Sequence, residues 1–216
     1  DVSGKGVPAA LFMAVAQTLI KASVPLEKST ANVINLLNKE LSVDNPNFMF
    51  ATIFLCILNI RTGELLFTNA AHNPSYILNA GGELRAVDSR HGLVVGPLSD
   101  STFEEETITL AEGDTFFMYT DGVTEAMDPV ENLFSDQRLA DHLSGLGELS
   151  PIEIVQSTMK AVKEFEAGAE QADDITMIAV KFNGSQYQPR GVFAYTISNE
   201  LSEISVLSER FEEFSR

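Results

Sequence analysis

The 216-residue sequence contains one cysteine, no tryptophan and few positively charged residues. A single cysteine, Cys56, cannot form an internal disulfide, so an apolar core must hold the fold, as is usual in a reducing compartment. No apolar run reaches the roughly 20 residues that a membrane-spanning helix needs, and no signal peptide precedes the body. We therefore expect a cytoplasmic protein without a membrane span.

The shortage of positive charge excludes one class of partner. Lys and Arg number 14 against 31 Asp and Glu, which gives a formal net charge of −17. Binding to a nucleic-acid backbone requires clustered Lys and Arg, and here these residues are scattered along the chain. An acidic surface alone promotes solubility, whereas acids gathered in a pocket attract cations. The positions of the acidic residues therefore determine whether the negative charge indicates solubility alone or a cation site.

Hydrophobic periodicity predicts both helices and strands. A helix is expected over residues 7–22, with Leu11, Phe12 and Met13 in the core. A second helix follows a cap at Ser29 or Thr30, and its buried face is expected to contain Val33, Ile34, Leu37 and Leu41. Strands are predicted at 48–60, 64–70, 75–78, 84–87, 103–110, 114–120 and 175–182, and further helices at 136–144 and 151–167.

The order of these elements indicates the fold class. Short turns such as "RTG" and "NAGG" join consecutive strands into hairpins, which favours antiparallel sheets over parallel crossover units. The segment "FMFATIFLCILNI" at 48–60 is apolar at nearly every position, so we expect it to be covered on both faces. Two stacked sheets with helices outside satisfy this requirement. The sequence therefore predicts an α+β fold, an α-β-β-α sandwich of two mainly antiparallel sheets.

Aspartates stand at the ends of three predicted apolar segments. Asp1 precedes the glycine loop "SGKG", Asp121 follows the strand "TFFMY", and Asp173 and Asp174 precede the last strand. Carboxylates held close together repel one another unless cations or protons neutralise them. Ligation by oxygen alone selects hard ions such as Mg²⁺ or Mn²⁺. An isolated Asp-Gly is usually only a turn, so the combination of the three places carries the hypothesis.

Four stretches resemble, in the same order, motifs of the SpoIIE/RsbU-type branch of the metal-dependent (type 2C, PPM) serine/threonine protein phosphatases of bacteria. They are "DVSGKGVPAALFMA", "FATIFLCILNIRTGELLFTNAAHNPSYIL", "GDTFFMYTDGVTEAMDP" and "DDITMIAV". The resemblance runs from Asp1 to about Phe182. It implies the phosphatase 2C-like form of the sandwich that the hairpins predict.

The resemblance also implies a centre of two Mn²⁺ or Mg²⁺ ions. Asp1 would bridge the ions, with the backbone carbonyl of Val2 completing the shell of one of them. Asp121 and Asp173 would bind on the other side, whereas Asp174 matches a turn position outside the principal ligands. Loop support is expected from Gly4, Gly6 and Gly122.

The implied activity is hydrolysis of phosphoserine or phosphothreonine on a regulatory protein in bacterial signalling, with an anti-sigma factor antagonist as the expected substrate. A metal-bound hydroxide would attack phosphorus in line, so no side chain acts as the nucleophile. Upstream sensor or receiver domains and a homodimer are the other expected partners. The family's domain opens with two further strands that carry another bridging aspartate. This sequence does not contain them, so the chain alone could lack activity.

Residues 1–182 are thus expected to form the phosphatase domain, and the polar stretch 183–191 a linker. Residues 192–216 read as a strand and an amphipathic helix, with an apolar side made by Leu201, Ile204, Leu207, Phe211 and Phe214. This tail resembles the opening of the kinase/ATPase domain of anti-sigma factors. The alternative is a C-terminal helix that packs on the phosphatase or on a second copy.

Other interpretations compete with the phosphatase. A regulatory interaction module could keep the fold without the metals. A cysteine phosphatase needs five residues between Cys and Arg, but only four separate Cys56 from Arg61, and "GKGVPA" is a weak match to a dinucleotide-binding loop. His72, in "AAHNPSY", is expected to be structural, and Glu104, Glu105 and Glu106 are expected to form a solvated strand edge.

Overall fold

Two antiparallel sheets packed face to face occupy the centre of the fold. The computed structural model of the chain describes residues 1–184. Its helices and strands are, in chain order, α1 (Val7–Ser23), α2 (Thr30–Ser42), β1 (Ile53–Leu58), β2 (Glu64–Ala70), β3 (Ser75–Leu78), β4 (Leu84–Val87), β5 (Glu106–Thr109), β6 (Thr115–Tyr119), α3 (Ser135–Leu143), α4 (Pro151–Glu166) and β7 (Met177–Lys181).

The strands form the hairpins that the turn signals predict. The first sheet has the order β1-β2-β5 and the second the order β4-β3-β6-β7, and every neighbouring pair is antiparallel. Gly63, in the turn between β1 and β2, has a φ of +77°, and a Cβ there would lie 2.4 Å from the Leu110 carbonyl oxygen. The first hairpin therefore needs glycine both for its backbone angle and for its close contact.

Alternation along the strands divides the interior into three apolar layers. In β2, Leu65 and Phe67 point toward the second sheet, whereas Ala70 points toward the helices α1 and α2. The layer between the sheets contains Leu65, Phe67, Ile77, Val87, Leu110, Phe116 and Phe182. Beyond the second sheet, α3 and α4 cover a layer that includes Tyr76, Phe117, Leu139, Leu143, Ile154 and Val162. The predicted α-β-β-α sandwich is confirmed.

Helix α1 forms where it was predicted, but the expectation that Leu11 and Met13 lie in the core is wrong. Their side chains are 63% and 48% exposed, and only Phe12 of the three packs against the layer beneath α2. The reason is that α2 lies between α1 and the first sheet. Helix α2 covers β1 and β2, and α1 packs mainly against α2, so only a narrow face of α1 is buried.

The predicted strand at 48–60 is also shorter and less buried than expected. Only Ile53–Leu58 form β1, and all six of these residues are half-buried rather than covered on both faces. Within residues 1–184, β1 has β2 as its only strand neighbour. The residues just before β1 pair instead with the first residues of the chain, as Val2 faces Ala51 in an antiparallel bridge.

The N-terminus of α2 is held by Glu105, which is exposed, as expected for this acidic run, but also bonds to the helix. Ser29 is the N-cap, and its hydroxyl accepts a hydrogen bond from the Asn32 N–H. Glu105 Oε2 accepts further bonds from Ser29 Oγ (2.8 Å), Ala31 N (3.1 Å) and Thr30 Oγ1 (3.2 Å). A negative charge at this end also complements the helix dipole. Glu105 therefore ties α2 to the segment before β5.

Two further expectations concern membrane spans and the C-terminal part of the chain. None of the helices within residues 1–184 combines the length and the apolar composition that a membrane span requires. The predicted tail at 192–216 and all but the first two residues of the predicted linker lie outside the described residues.

Replacing Glu105 by Gln tests the cap on α2. Desolvation alone would raise the pKa of Glu105, but its hydrogen bonds outweigh this and hold the pKa below the ordinary value of 4.5. The charged form therefore stabilises the fold above pH 4.5, and this contribution is lost as the pH falls through the lowered pKa. The amide oxygen of Gln can still accept hydrogen bonds and the exposed charge is screened by solvent, so we expect Glu105→Gln to reduce the free energy of unfolding by about 0.5 kcal/mol at pH 7 and by much less at pH 3, as measured by urea unfolding.

The matched control is Glu104→Gln, since Glu104 is exposed and its side chain makes no hydrogen bond within the described part of the chain. It should leave the free energy of unfolding unchanged at both pH values. A Glu105→Gln variant as stable as the parent at pH 7, or equally destabilised at both pH values, contradicts the assignment.

Candidate metal centre

The first three residues pair in antiparallel fashion with the segment before β1. Thr52 N donates to the Asp1 carbonyl oxygen (2.9 Å) and Ser3 N donates to that of Phe50 (2.8 Å). The Ser3 hydroxyl in turn accepts a hydrogen bond from Phe50 N (2.9 Å). The backbone that carries Asp1 is therefore fixed against the entrance to the first sheet.

Val2 occupies a position in this pairing that leaves its carbonyl available. It faces Ala51 between the two ladder hydrogen bonds, and in such a non-hydrogen-bonded pair the N–H and C=O groups point away from the partner strand. Within residues 1–184 no hydrogen bond to the Val2 carbonyl oxygen is found. The geometry is that of a backbone oxygen able to serve as a ligand.

Two glycines, Gly4 and Gly6, lie in the loop between this pairing and the start of α1. Gly4 and Gly6 have φ angles of +82° and +78°, and a Cβ on either would meet nothing within 4 Å. Glycine is thus favoured here by the left-handed backbone rather than by crowding. Between them, Lys5 Nζ donates to the carbonyl oxygen of Ala172 (3.3 Å). The loop after Asp1 therefore contacts the residue that precedes Asp173.

Asp121 lies two residues beyond the end of β6, beside the segment that leads into β7. Thr120 N donates to the Thr176 carbonyl (3.0 Å), Thr176 N donates to Thr120 Oγ1 (2.9 Å), and that hydroxyl donates to the Asp174 carbonyl (3.1 Å). Asp121 then opens a short 3-10 helix, Asp121–Val123, whose first carbonyl accepts from Glu125 N (2.8 Å). These bonds fix the backbone on both sides of the Asp121 side chain.

Gly122 allows the two acidic segments to touch. A Cβ at this position would lie 2.3 Å from the Asp174 carbonyl oxygen and 3.2 Å from that of Asp173. Any side chain at 122 would therefore push the Asp173 segment away, since the atoms it meets belong to the backbone. Asp121 and Asp173 consequently lie on neighbouring stretches of backbone.

A chain of contacts from α4 orients the loop that carries Asp173. Lys163 Nζ lies 2.8 Å from the buried carboxylate of Glu166 and donates to Gln171 Oε1 (3.0 Å). Gln171 Nε2 in turn donates to the Asp173 carbonyl (2.8 Å). Sequence reasoning missed this support, because neither Lys163 nor Gln171 belongs to a recognisable motif and their separation of eight residues crosses a helix end.

His72 lies between the two sheets at the same end of the sandwich. Its Nδ1 is 2.9 Å from Thr52 Oγ1 and its Nε2 is 3.1 Å from the Tyr119 carbonyl. A carbonyl can only accept, so Nε2 carries the hydrogen and Nδ1 accepts from the hydroxyl. Burial lowers the pKa of His72 to about 4, although the negative charge of Asp121 acts in the opposite direction. The imidazole is therefore neutral at pH 7 and serves as a bridge, as its turn setting indicated.

The donor set matches the chemistry of a hard cation, because it consists of carboxylate oxygens and one backbone carbonyl. The structure places Asp121 beside the Asp173 segment, and it links the Asp1 segment to the same end through His72 and Lys5. Within residues 1–184 no group of three or more His, Cys, Asp or Glu side chains is gathered closely enough to hold a metal ion. The assignment of Asp1, Val2, Asp121 and Asp173 as ligands therefore stays a prediction.

A cleft of about 270 Å³ opens next to Asp121. It lies between the turn after β2 and the segment that leads into α3. Its walls are formed by Ala71, His72, Asn73, Pro74, Arg90, Asp121, Thr124, Glu125 and Asp136. The cleft is thus mainly polar and has carboxylates on one side.

Cys56 lies away from this site. It belongs to β1, and burial raises the pKa of its thiol to about 11, so the thiolate needed for nucleophilic attack is scarce at neutral pH. This agrees with the rejection of a cysteine phosphatase.

Comparison with known proteins gives consistent results. The model of the family "Stage II sporulation protein E (SpoIIE)" matches residues 1–183. The chain is 31% identical over 210 residues to Protein IcfG of Synechocystis sp. (strain ATCC 27184 / PCC 6803 / Kazusa), which covers 85% of this chain and 33% of IcfG. It is 25% identical over 186 residues to phosphoserine phosphatase RsbU of Bacillus subtilis (strain 168), covering 84% of this chain and 53% of RsbU.

Among solved structures, the SiaA-PP2C domain of Pseudomonas aeruginosa superposes with a TM-score of 0.72 at 23% identity, covering 84% of this chain and 73% of that domain. The chain thus spans about a third to a half of the curated relatives named above, whereas most of it matches a single phosphatase fold. With a family match over residues 1–183 and the expected sandwich in place, the chain belongs to the SpoIIE family of PP2C-type serine phosphatase domains.

Proposed function

We propose that this domain removes phosphate from phosphoserine or phosphothreonine on a regulatory protein, and that it does so with two divalent cations. The observation that carries the proposal is the contact between Gly122 and the backbone of Asp173 and Asp174, since it makes the backbone segments of Asp121 and Asp173 neighbours. The name of RsbU, a phosphoserine phosphatase, supports the same reaction class.

In the proposed site, Asp1 and the Val2 carbonyl would hold ions from the side of the first sheet, and Asp121 and Asp173 from the side of the second. When bound, two Mn²⁺ or Mg²⁺ ions would supply the positive charge that acidifies a water molecule and neutralises a phosphate. The chain's own residues position these ligands. Lys5 and Gln171 contact the Asp173 segment, and His72 links Thr52 to the carbonyl of Tyr119.

The substrate that we propose is a phosphorylated anti-sigma factor antagonist, by analogy with relatives of the RsbU type. Within the described residues no side chain selects that protein over another phosphoprotein. The acidic surface favours a substrate whose contacting face carries positive charge around its phosphoserine.

The alternative is a module that has kept the fold but lost the metals. The arrangement of backbone around Asp121 argues against it, because a scaffold without metals gains nothing from placing Asp121 beside the Asp173 segment. Carboxylates in this position destabilise a fold that has no cation to neutralise them. Linkage between Mn²⁺ and stability separates the two possibilities, since only a metal-binding protein is stabilised by the ion.

Asp121→Asn in the full-length natural protein tests the metal role. The amide keeps the size of the side chain but removes its charge, so we expect Mn²⁺-dependent phosphoserine hydrolysis to fall by more than about 100-fold, since even residues that only orient ligands contribute about 10- to 100-fold. The rise in melting temperature caused by Mn²⁺ should also shrink, while the melting temperature without metal stays the same or rises.

Asp88→Asn is the control for that experiment, because Asp88 is an exposed loop acid outside the site and the change in net charge is the same. It should retain the activity and the Mn²⁺ response of the parent. Full activity in the Asp121→Asn protein would rule out the proposed mechanism.

Gly122→Ala tests whether the contact between the acidic segments matters. The added methyl group must displace the Asp174 carbonyl, so we expect the affinity for Mn²⁺ to fall by about tenfold or more, as for other supports of metal ligands. Calorimetric titration with Mn²⁺ measures this directly. Gly145→Ala provides the comparison, because a Cβ there meets nothing within 4 Å, although its φ of +89° adds backbone strain. An unchanged Mn²⁺ affinity in a folded Gly122→Ala protein would contradict the assigned role.

A further inference from the structure

Arg90 is the one permanently cationic residue among those that line the cleft beside Asp121. Both ring nitrogens of His72, the other basic group there, are already engaged, with the Thr52 hydroxyl and the Tyr119 carbonyl. The Arg90 side chain is exposed, and within residues 1–184 its guanidinium forms no salt bridge and no hydrogen bond. The cleft next to the predicted metal ligands therefore contains one arginine whose guanidinium has no bonding partner within the described residues.

The backbone beside Arg90 is fixed to the end of β2. His91 N donates to the Asn69 carbonyl (2.9 Å), and His91 Nδ1 accepts from Asn69 N (3.1 Å). Gly92 pairs with Ala70 in a parallel bridge, and a Cβ on Gly92 would lie 2.3 Å from the Phe103 ring. Arg90 therefore extends from a rigid anchor rather than from a free loop.

One acid of the cleft and the two other cations nearby already have partners within the described residues. Asp136, across the cleft, accepts a hydrogen bond from the Tyr119 hydroxyl (3.0 Å). Lys5, the other cation near the acidic segments, donates to the Ala172 carbonyl (3.3 Å), and Arg138 lies over the ring of Phe165 at 5.1 Å. Of these cations, Arg90 alone is free to meet a ligand that enters the cleft.

We infer that Arg90 binds the phosphoryl group of the phosphorylated substrate in this cleft and so determines substrate affinity. The inference rests on the proposed function. A guanidinium presents paired N–H donors that match two phosphate oxygens. It also offsets part of the repulsion that Asp121, Glu125 and Asp136 exert on a dianion. Arg90 touches the substrate before and during the reaction alike, so its contribution appears in binding rather than in turnover.

The test compares Arg90→Ala, Arg90→Lys and Arg85→Ala in the full-length natural protein, with Mn²⁺ present. Arg85 is an exposed arginine of β4 that does not line the cleft, so its removal matches the change in charge. The measurements are the KM and kcat for p-nitrophenyl phosphate, the inhibition constant of inorganic phosphate, and direct phosphate binding by calorimetry.

For Arg90→Ala we expect both the KM and the phosphate inhibition constant to rise about tenfold or more, the usual size for loss of a charge-assisted hydrogen bond, with kcat changed less than threefold. Arg90→Lys should recover part of the affinity, since it restores the charge but not the paired donors. Arg85→Ala should behave as the parent does. Unchanged phosphate affinity in Arg90→Ala, or an equal loss in Arg85→Ala, overturns the inference.

The outcomes also separate this inference from the proposed function. If the parent hydrolyses phosphate esters, Asp121→Asn abolishes the activity and Arg90→Ala leaves the affinity unchanged, only the inference about Arg90 fails. If Asp121→Asn remains fully active, the metal mechanism itself fails. If the parent shows no hydrolysis, the calorimetric comparison still decides, because equal phosphate binding by the parent and Arg90→Ala overturns the role of Arg90.

Discussion

The imidazole of His72 joins the two sheets at the end of the sandwich where the predicted ligands lie. One ring nitrogen contacts Thr52, whose backbone pairs with Asp1, and the other contacts the Tyr119 carbonyl, two residues before Asp121. The bond to the carbonyl requires a hydrogen on Nε2. Burial keeps the ring neutral at pH 7 by lowering its pKa to about 4, so Nδ1 accepts from the Thr52 hydroxyl. His72 therefore links the segment that pairs with Asp1 to the strand that ends just before Asp121, while the apolar layer between the sheets holds them together.

The lysines near the predicted ligands are paired with other groups and do not neutralise these aspartates. Within the described residues, no salt bridge reaches the side chains of Asp1, Asp121 or Asp173. Lys5 binds a backbone carbonyl, and Lys163 pairs with Glu166. Like charges without cationic partners raise the energy of the empty site and increase its attraction for divalent cations. If the proposed function holds, the same imbalance gives Arg90 a role in offsetting the repulsion of a phosphate dianion.

The fold was largely predictable because its signals are local. Hairpin turns, the Ser29 cap and the alternation of apolar residues along β2 each depend on residues close in sequence. The expectations that failed, and the contacts that were missed, depend on elements distant in sequence. The exposure of Leu11 depends on α2 standing between α1 and the sheet, and the role of Glu105 depends on a helix some 75 residues earlier.

The same distinction between local and distant signals applies to the candidate site. Asp121 and Asp173 could be selected from their positions beside apolar strands, and the glycines from their neighbours. The contact that brings the acidic segments together, at Gly122, was not visible in the sequence, because it depends on how β6 and β7 pair beyond their ends. The links through Lys163, Gln171 and Arg90 join residues from separate elements and follow no motif.

The central claim is that the acidic segments around Asp121 and Asp173 form a centre for divalent cations. Crystals of the full-length natural protein grown with Mn²⁺, with anomalous scattering recorded near the manganese absorption edge, test it most directly. We expect manganese peaks within about 2.0–2.5 Å of carboxylate oxygens of Asp121 and Asp173, and of Asp1. Manganese bound only elsewhere on the surface, with these carboxylates free of metal, would contradict the claim.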